Sequence, residues 1–139
     1  MKAPGKKKAV SPAAPRFEVI SWQGAKILVA DYSLGTRDEV WALTNQIRDY
    51  LEKQKPNSVN ILFDVDRPYY EASHVNHWKK TLGQNDAVIR KSCFINAAPI
   101  MHLIVSSMRV YSAFTGEPMK KERGIFFKDK ASALDWLSQ

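Results

Sequence analysis

The sequence predicts an α/β fold in the order ββαβαβαβα, a mostly parallel sheet flanked by helices. Two observations predict it. Short runs rich in β-branched and aromatic residues, Val59 to Val65, Ile89 to Asn96 and Gly124 to Phe127, alternate with longer segments whose apolar residues recur at three- and four-residue intervals. Such alternation implies parallel strands joined by right-handed helical crossovers.

Phe17 to Trp22 and Lys26 to Tyr32 read as two strands of a hairpin, because Gly24 in Gln23-Gly24-Ala25 supplies positive φ at little cost. Thr36-Arg37-Asp38-Glu39 fits a capping box, and Val40, Leu43, Ile47, Tyr50 and Leu51 form the apolar face of the helix that follows. Pro56 discourages its continuation past Gln54-Lys55. Val59 to Val65 has the pattern of a central strand covered on both faces. Val75, Trp78 and Leu82 keep helical spacing within Glu71 to Gln84, and Asn85-Asp86 stops that helix. In the next strand Cys93 and Ile95 share one side and Phe94 takes the other. Pro99 suits the first turn of a third helix, which is expected to turn Ile100, Leu103, Ile104, Met108 and Tyr111 inward before a loop at Gly116-Glu117-Pro118. Asp129 caps a last helix bearing Ala133, Leu134 and Leu137.

Composition narrows the role. A chain of 139 residues fits one domain, expected over 16–139, and residues 1–15, with four lysines and Pro4, Pro12 and Pro15, have the composition of a disordered basic tail. Of the net charge of +7, Lys2, Lys6, Lys7 and Lys8 contribute four, which leaves +3 on the body, so nucleic acid is not the expected partner. One cysteine, Cys93, precludes an internal disulfide. The apolar run from Ile100 to Val105 is too short to span a bilayer, and the expected location is cytoplasmic.

Parallel sheets present ligands at the carboxyl ends of their strands. Here those ends offer Asp31, Tyr32, Ser33, Asp64, Asp66, Arg67, Asn96 and Lys128 as a rim for a ligand or partner. Asp64 and Asp66 read as turn or ion-pair groups beside Arg67 rather than as an acid–base pair, because no third group is identifiable. His74 and His77, three apart on a helix, form with Asp64 or Asp66 a conceivable metal site, but helical histidine pairs are common at solvent-facing positions, and no metal or cofactor is expected. His102 reads as a residue at the edge of the core. Cys93 lacks a base partner, and no nucleophile elbow or phosphate-binding glycine loop is present in the sequence. No catalysis is expected. Tyr69, Tyr70 and Trp78 are aromatics of the kind enriched at contact hot spots, with core packing as their other reading, foremost for Trp78.

Asp31-Tyr32-Ser33, Arg90-Lys91-Ser92 and the ending Ala131-Ser132-Ala133-Leu134-Asp135-Trp136-Leu137 resemble the SpoIIAA-like proteins, which share the architecture of STAS domains and of the CRAL-TRIO lipid-binding fold. The resemblance spans residues 17–138 and implies a non-enzymatic protein-binding or regulatory module. A homodimer is a separate expectation, one that an exposed apolar helix face would motivate. Its CRAL-TRIO side implies an alternative, a small carrier of an apolar or lipid-like ligand, which a cavity beside Ile100 and Leu103 would favour and a filled core would not. STAS anti-sigma antagonists are switched at a serine in an Asp-Ser-Ser-Gly turn; here the stretch reads Tyr70-Glu71-Ala72-Ser73-His74, so Ser73 alone matches, the acid is displaced and the glycine is absent. The plainer reading of Ser73 is a cap or first-turn residue.

Overall fold

The computed structural model describes residues 16–114, 116 and 119–139, with 111–114 as backbone alone. The expected tail, the inward placement of Tyr111, and Glu117 and Pro118 of the expected loop lie outside the described residues.

Strands β1 (Phe17–Trp22) and β2 (Ala25–Asp31) pair antiparallel across Gln23-Gly24. Both turn residues have positive φ, 50° and 83°, the geometry that matches the twist of a two-residue hairpin. Helix α1 (Arg37–Leu51) starts on the expected capping box: the Glu39 amide donates to Thr36 Oγ1 at 3.3 Å and the Thr36 amide donates to Glu39 Oε1 at 3.0 Å. Then follow β3 (Val59–Asp64), α2 (Ala72–Gln84), a 3-10 turn (Asp86–Val88), β4 (Ile89–Ile95), α3 (Pro99–Phe114), β5 (Ile125–Phe127) and α4 (Lys130–Ser138). The sheet order is β1-β2-β3-β4-β5, parallel from β2 onward.

Helices α1, α2 and α3 close one face of the sheet, where Leu28, Ile61, Phe63 and Phe94 meet Leu43, Ile47, Trp78 and Val105. Phe63 and Phe94 stack at 5.2 Å, and Trp78 meets Phe63 edge-on at 5.7 Å. Helix α4 closes the other face with Ala133, Leu134 and Leu137 on Ile27, Val29, Leu62 and Cys93. Asp129 caps α4 by accepting the Ser132 amide at 2.8 Å. At the far end of α4, the Leu137 carbonyl accepts from Arg90 at 3.3 Å and the Trp136 carbonyl from Lys91 at 2.8 Å, cations placed at the negative end of the helix dipole.

Helix α3 departs from expectation. Met101 and Val105 are buried and Ile104 and Met108 half-buried, but Ile100 is 44% and Leu103 67% exposed. A helix apolar around most of its circumference has no unique inward face in its sequence, and packing chose the face roughly one residue further on. His102 is likewise exposed, its ring stacked 3.8 Å from that of Phe126. Arg123, not singled out in the sequence, is 4% exposed and ties the entry to β5 to the start of β4. It donates to Asp86 Oδ1 at 2.8 Å, the Arg90 carbonyl at 2.8 Å and the Ile89 carbonyl.

Candidate functional site: the carboxyl rim of the sheet

The loops leaving β2, β3 and β4 lie side by side, and their backbones continue the parallel pairing beyond the strands. The Tyr32 amide donates to the Asp64 carbonyl at 2.9 Å, Leu34 to Asp66 at 2.8 Å and Val65 to Ile95 at 3.1 Å. Each loop then turns on one residue of positive φ, at Leu34 (53°), Arg67 (48°) and Asn96 (59°). Asparagine adopts this conformation readily; for leucine and arginine it costs energy.

The expected rim residues are brought together, but most of their polar groups are engaged with one another. Asp31 Oδ1 accepts the Ser33 amide at 2.9 Å and also the Ser33 hydroxyl. Asp64 Oδ1 accepts from Asn96 Nδ2 at 3.1 Å and from the Asp66 amide at 3.3 Å, while Asp66 pairs with Arg67 at 3.1 Å. That hydrogen bond and charge raise the Arg67 guanidinium above its ordinary range. Arg16 donates to the Asp31 and Ser33 carbonyls at 3.1 and 2.8 Å and pairs with Glu39 at 3.4 Å, a clamp the sequence does not signal. Lys128 stands exposed just beyond β5.

Tyr32 is not presented to solvent as expected of a rim residue. It is 5% exposed, its hydroxyl bonds Thr44 Oγ1 at 2.7 Å inside the fold, and burial raises its phenol. Tyrosine buried with its hydroxyl satisfied is core, which alternation of side chains along β2 alone does not announce. Trp78, 8% exposed, is core as well, whereas Tyr70 is 36% exposed and Tyr69 half-buried. Between them an apolar cleft of about 40 Å³ opens among Tyr32, Val65, Tyr69, Tyr70, Val75 and Met101.

The histidines do not converge on the aspartates. His74, 6% exposed rather than solvent-facing, bonds the Arg37 carbonyl through Nε2 at 3.0 Å and lies 3.3 Å from Glu71 through Nδ1. His77 bonds Asn45 Oδ1 at 2.7 Å and stacks on Trp41 at 4.2 Å; burial lowers its pKa, helped by Arg48. Among the described residues no group of three or more His, Cys, Asp or Glu side chains could hold a metal ion. Ser73 is the second residue of α2, exposed, and donates to Glu71 Oε2 at 2.8 Å. That bond, with one from Tyr69, holds the Glu71 carboxyl below its usual range. Cys93 is buried in the α4-side core, and burial pushes its thiol up to about 12, where a thiolate nucleophile is not available at neutral pH. No described helix is long and apolar enough to cross a membrane.

No family model matches the chain, and no curated protein matches it either. Among solved structures, it is similar to an anti-sigma-factor antagonist (STAS) domain protein from Planctomyces limnophilus, at 12% identity and a TM-score of 0.43, over 88% of this chain and 98% of that one. The α/β assignment rests on this chain's own strand order and register.

Proposed function

We propose that the chain is a non-enzymatic protein-binding or regulatory module of STAS type whose partner docks on the carboxyl rim. The observation that carries this reading is Leu34. A leucine 60% exposed at φ 53° incurs backbone strain and leaves apolar surface in water, where a glycine or asparagine would make the same turn without either. Half-exposed Tyr70 and the apolar cleft lie on the neighbouring loop, joined to this one by the Tyr69 amide donating to the Gly35 carbonyl at 3.2 Å. Apolar anchors surrounded by satisfied polar groups are the usual composition of a recognition surface. The internal pairing of Asp31, Ser33, Asp64, Asp66, Arg67 and Asn96 supports a rim that shapes these loops rather than one that transfers protons.

Supporting this over the carrier reading, the apolar cleft of about 40 Å³ is far smaller than the ~300 Å³ that encloses a small-molecule ligand, and Ile100 and Leu103 face outward instead of lining a cavity. In this reading a phosphate on Ser73 acts as a switch. It cannot share Glu71 as a hydrogen-bond acceptor, so it would break the Tyr69–Glu71–Ser73 cluster beside the docking face.

The test is site-directed photo-crosslinking in the protein's own cells from position 34 or 70, with position 53 on the opposite end as control. One protein captured from 34 and 70 but not from 53, whose purified form binds wild type and not Leu34→Asn, supports the reading. Because asparagine tolerates positive φ, the Leu34→Asn chain is expected to melt at or above the wild-type temperature. Equal labelling from all three positions would count against it.

A further inference from the structure

Helix α3 carries a second exposed surface, distinct from the rim loops. Leu103 is 67% and Val110 66% exposed, and between them Ser106 and Ser107 are exposed as well. Over its 16 residues the helix has one charged side chain, Arg109, and that guanidinium is turned away to donate to the Arg123 carbonyl. A solvent-facing helix surface ordinarily bears charge; this one is neutral and apolar on a chain of net charge +7.

The order of residues on this face is symmetric about its centre. Leu103 and Val110 stand three residues before Ser106 and three after Ser107, about 10.5 Å apart along the axis. The Ser107 hydroxyl donates to the Ile104 carbonyl at 2.7 Å, so it needs no water and leaves a small, satisfied midpoint. Two such helices laid antiparallel would place Leu103 of each against Val110 of the other, and the serines would let the axes approach closely at the crossing. A two-fold interface has this self-complementary form, and neutrality lets copies of a cationic chain meet here without like charges opposed.

We propose that this face is an isologous self-association surface, α3 packing antiparallel on α3 of a second copy about an axis at Ser106–Ser107. The proposal does not rest on the rim reading. A helix of this length spans about 24 Å. One helix face falls short of the ~800 Å² per partner of a standard interface, so the dimer depends on concentration.

Sedimentation velocity of the full chain from micromolar to millimolar concentration tests it. The wild type is expected to shift from monomer to dimer, and Leu103→Glu to remain monomeric with an unchanged melting temperature, since Leu103 is mostly in solvent. In the double variant Leu103→Glu with Val110→Lys, the antiparallel arrangement sets each glutamate against a lysine, and dimer is expected to return. Ser106→Cys is expected to form a disulfide-linked dimer under mild oxidation, with buried Cys93 silent. A wild type monomeric throughout, a Leu103→Glu dimer, or a double variant that stays monomeric would each overturn the proposal. So would a monomeric wild type that binds neutral phospholipid vesicles through Leu103, which would make the face a lipid contact.

Discussion

The two faces of the sheet are closed by different means. Three helices cover one, over a deep core stacked with Phe63, Trp78 and Phe94; nine residues of α4 cover the other with three small-to-medium side chains. The thin face makes up in polar anchoring what it lacks in depth. Arg90 and Lys91 grip the last carbonyls of α4, Trp22 Nε1 and Gln23 Nε2 reach Asp135 at 2.8 and 3.0 Å, and Lys91 lies 4.7 Å over the Trp136 ring. Consecutive crossovers between neighbouring strands leave one face bare, so the chain's last helix has to reach the opposite face and be fastened there.

The largest break in this contrast is expected from Phe63→Ala, which empties the centre of the three-helix side. About 4 kcal/mol of stability is expected to be lost, in a single cooperative transition in urea. Arg123→Met fills the same space but deprives the Asp86, Arg90 and Ile89 acceptors of their donor, at about 2 kcal/mol, read by the same denaturation. Asp129→Ala removes only the α4 cap, for about 1 kcal/mol. Hydrogen exchange is expected to quicken in α4 first and leave β3 protected; uniform quickening would mean that the thin face unfolds only with the rest.

The smallest effect is one of pH. His77 titrates below its ordinary 6.5 in the fold, so the unfolded chain binds the proton more readily. Its contribution to stability is present above about 6.5 and is lost as the pH falls from there through the folded value. A small drop in melting temperature below neutrality is expected for wild type and its absence for His77→Gln. The lowered carboxyls Glu39, Glu71 and Asp129 act in the same direction only in the carboxylate range, where both chains would follow them.

What could be read in advance was whatever a local pattern encodes. The capping box at Thr36, the positive φ at Gly24, the Asp129 cap and the opposed sides of Cys93 and Phe94 each reside in a few adjacent residues, and all stand in the structure where the sequence placed them. The strand ends that form the rim followed from parallel pairing. Leu34 did not, because leucine carries no signature of a left-handed turn; the backbone bond from its amide to Asp66 holds it there. Burial of His74 was also hidden, since the groups that cover it from α1, the Arg37 carbonyl and the Trp41 ring, are far from it in the chain.

By itself, then, the sequence determined the elements, their order and the alternation that makes the sheet parallel, because propensity, capping and side-chain period act over a few residues. Tertiary structure decided which side of α3 is buried, where the fold's arginine anchors reach, and which apolar side chains remain outside. Those outcomes depend on competition between surfaces distant in the chain. A helix apolar on several sides can satisfy only one of them against the sheet, and the side left over is the one available for binding.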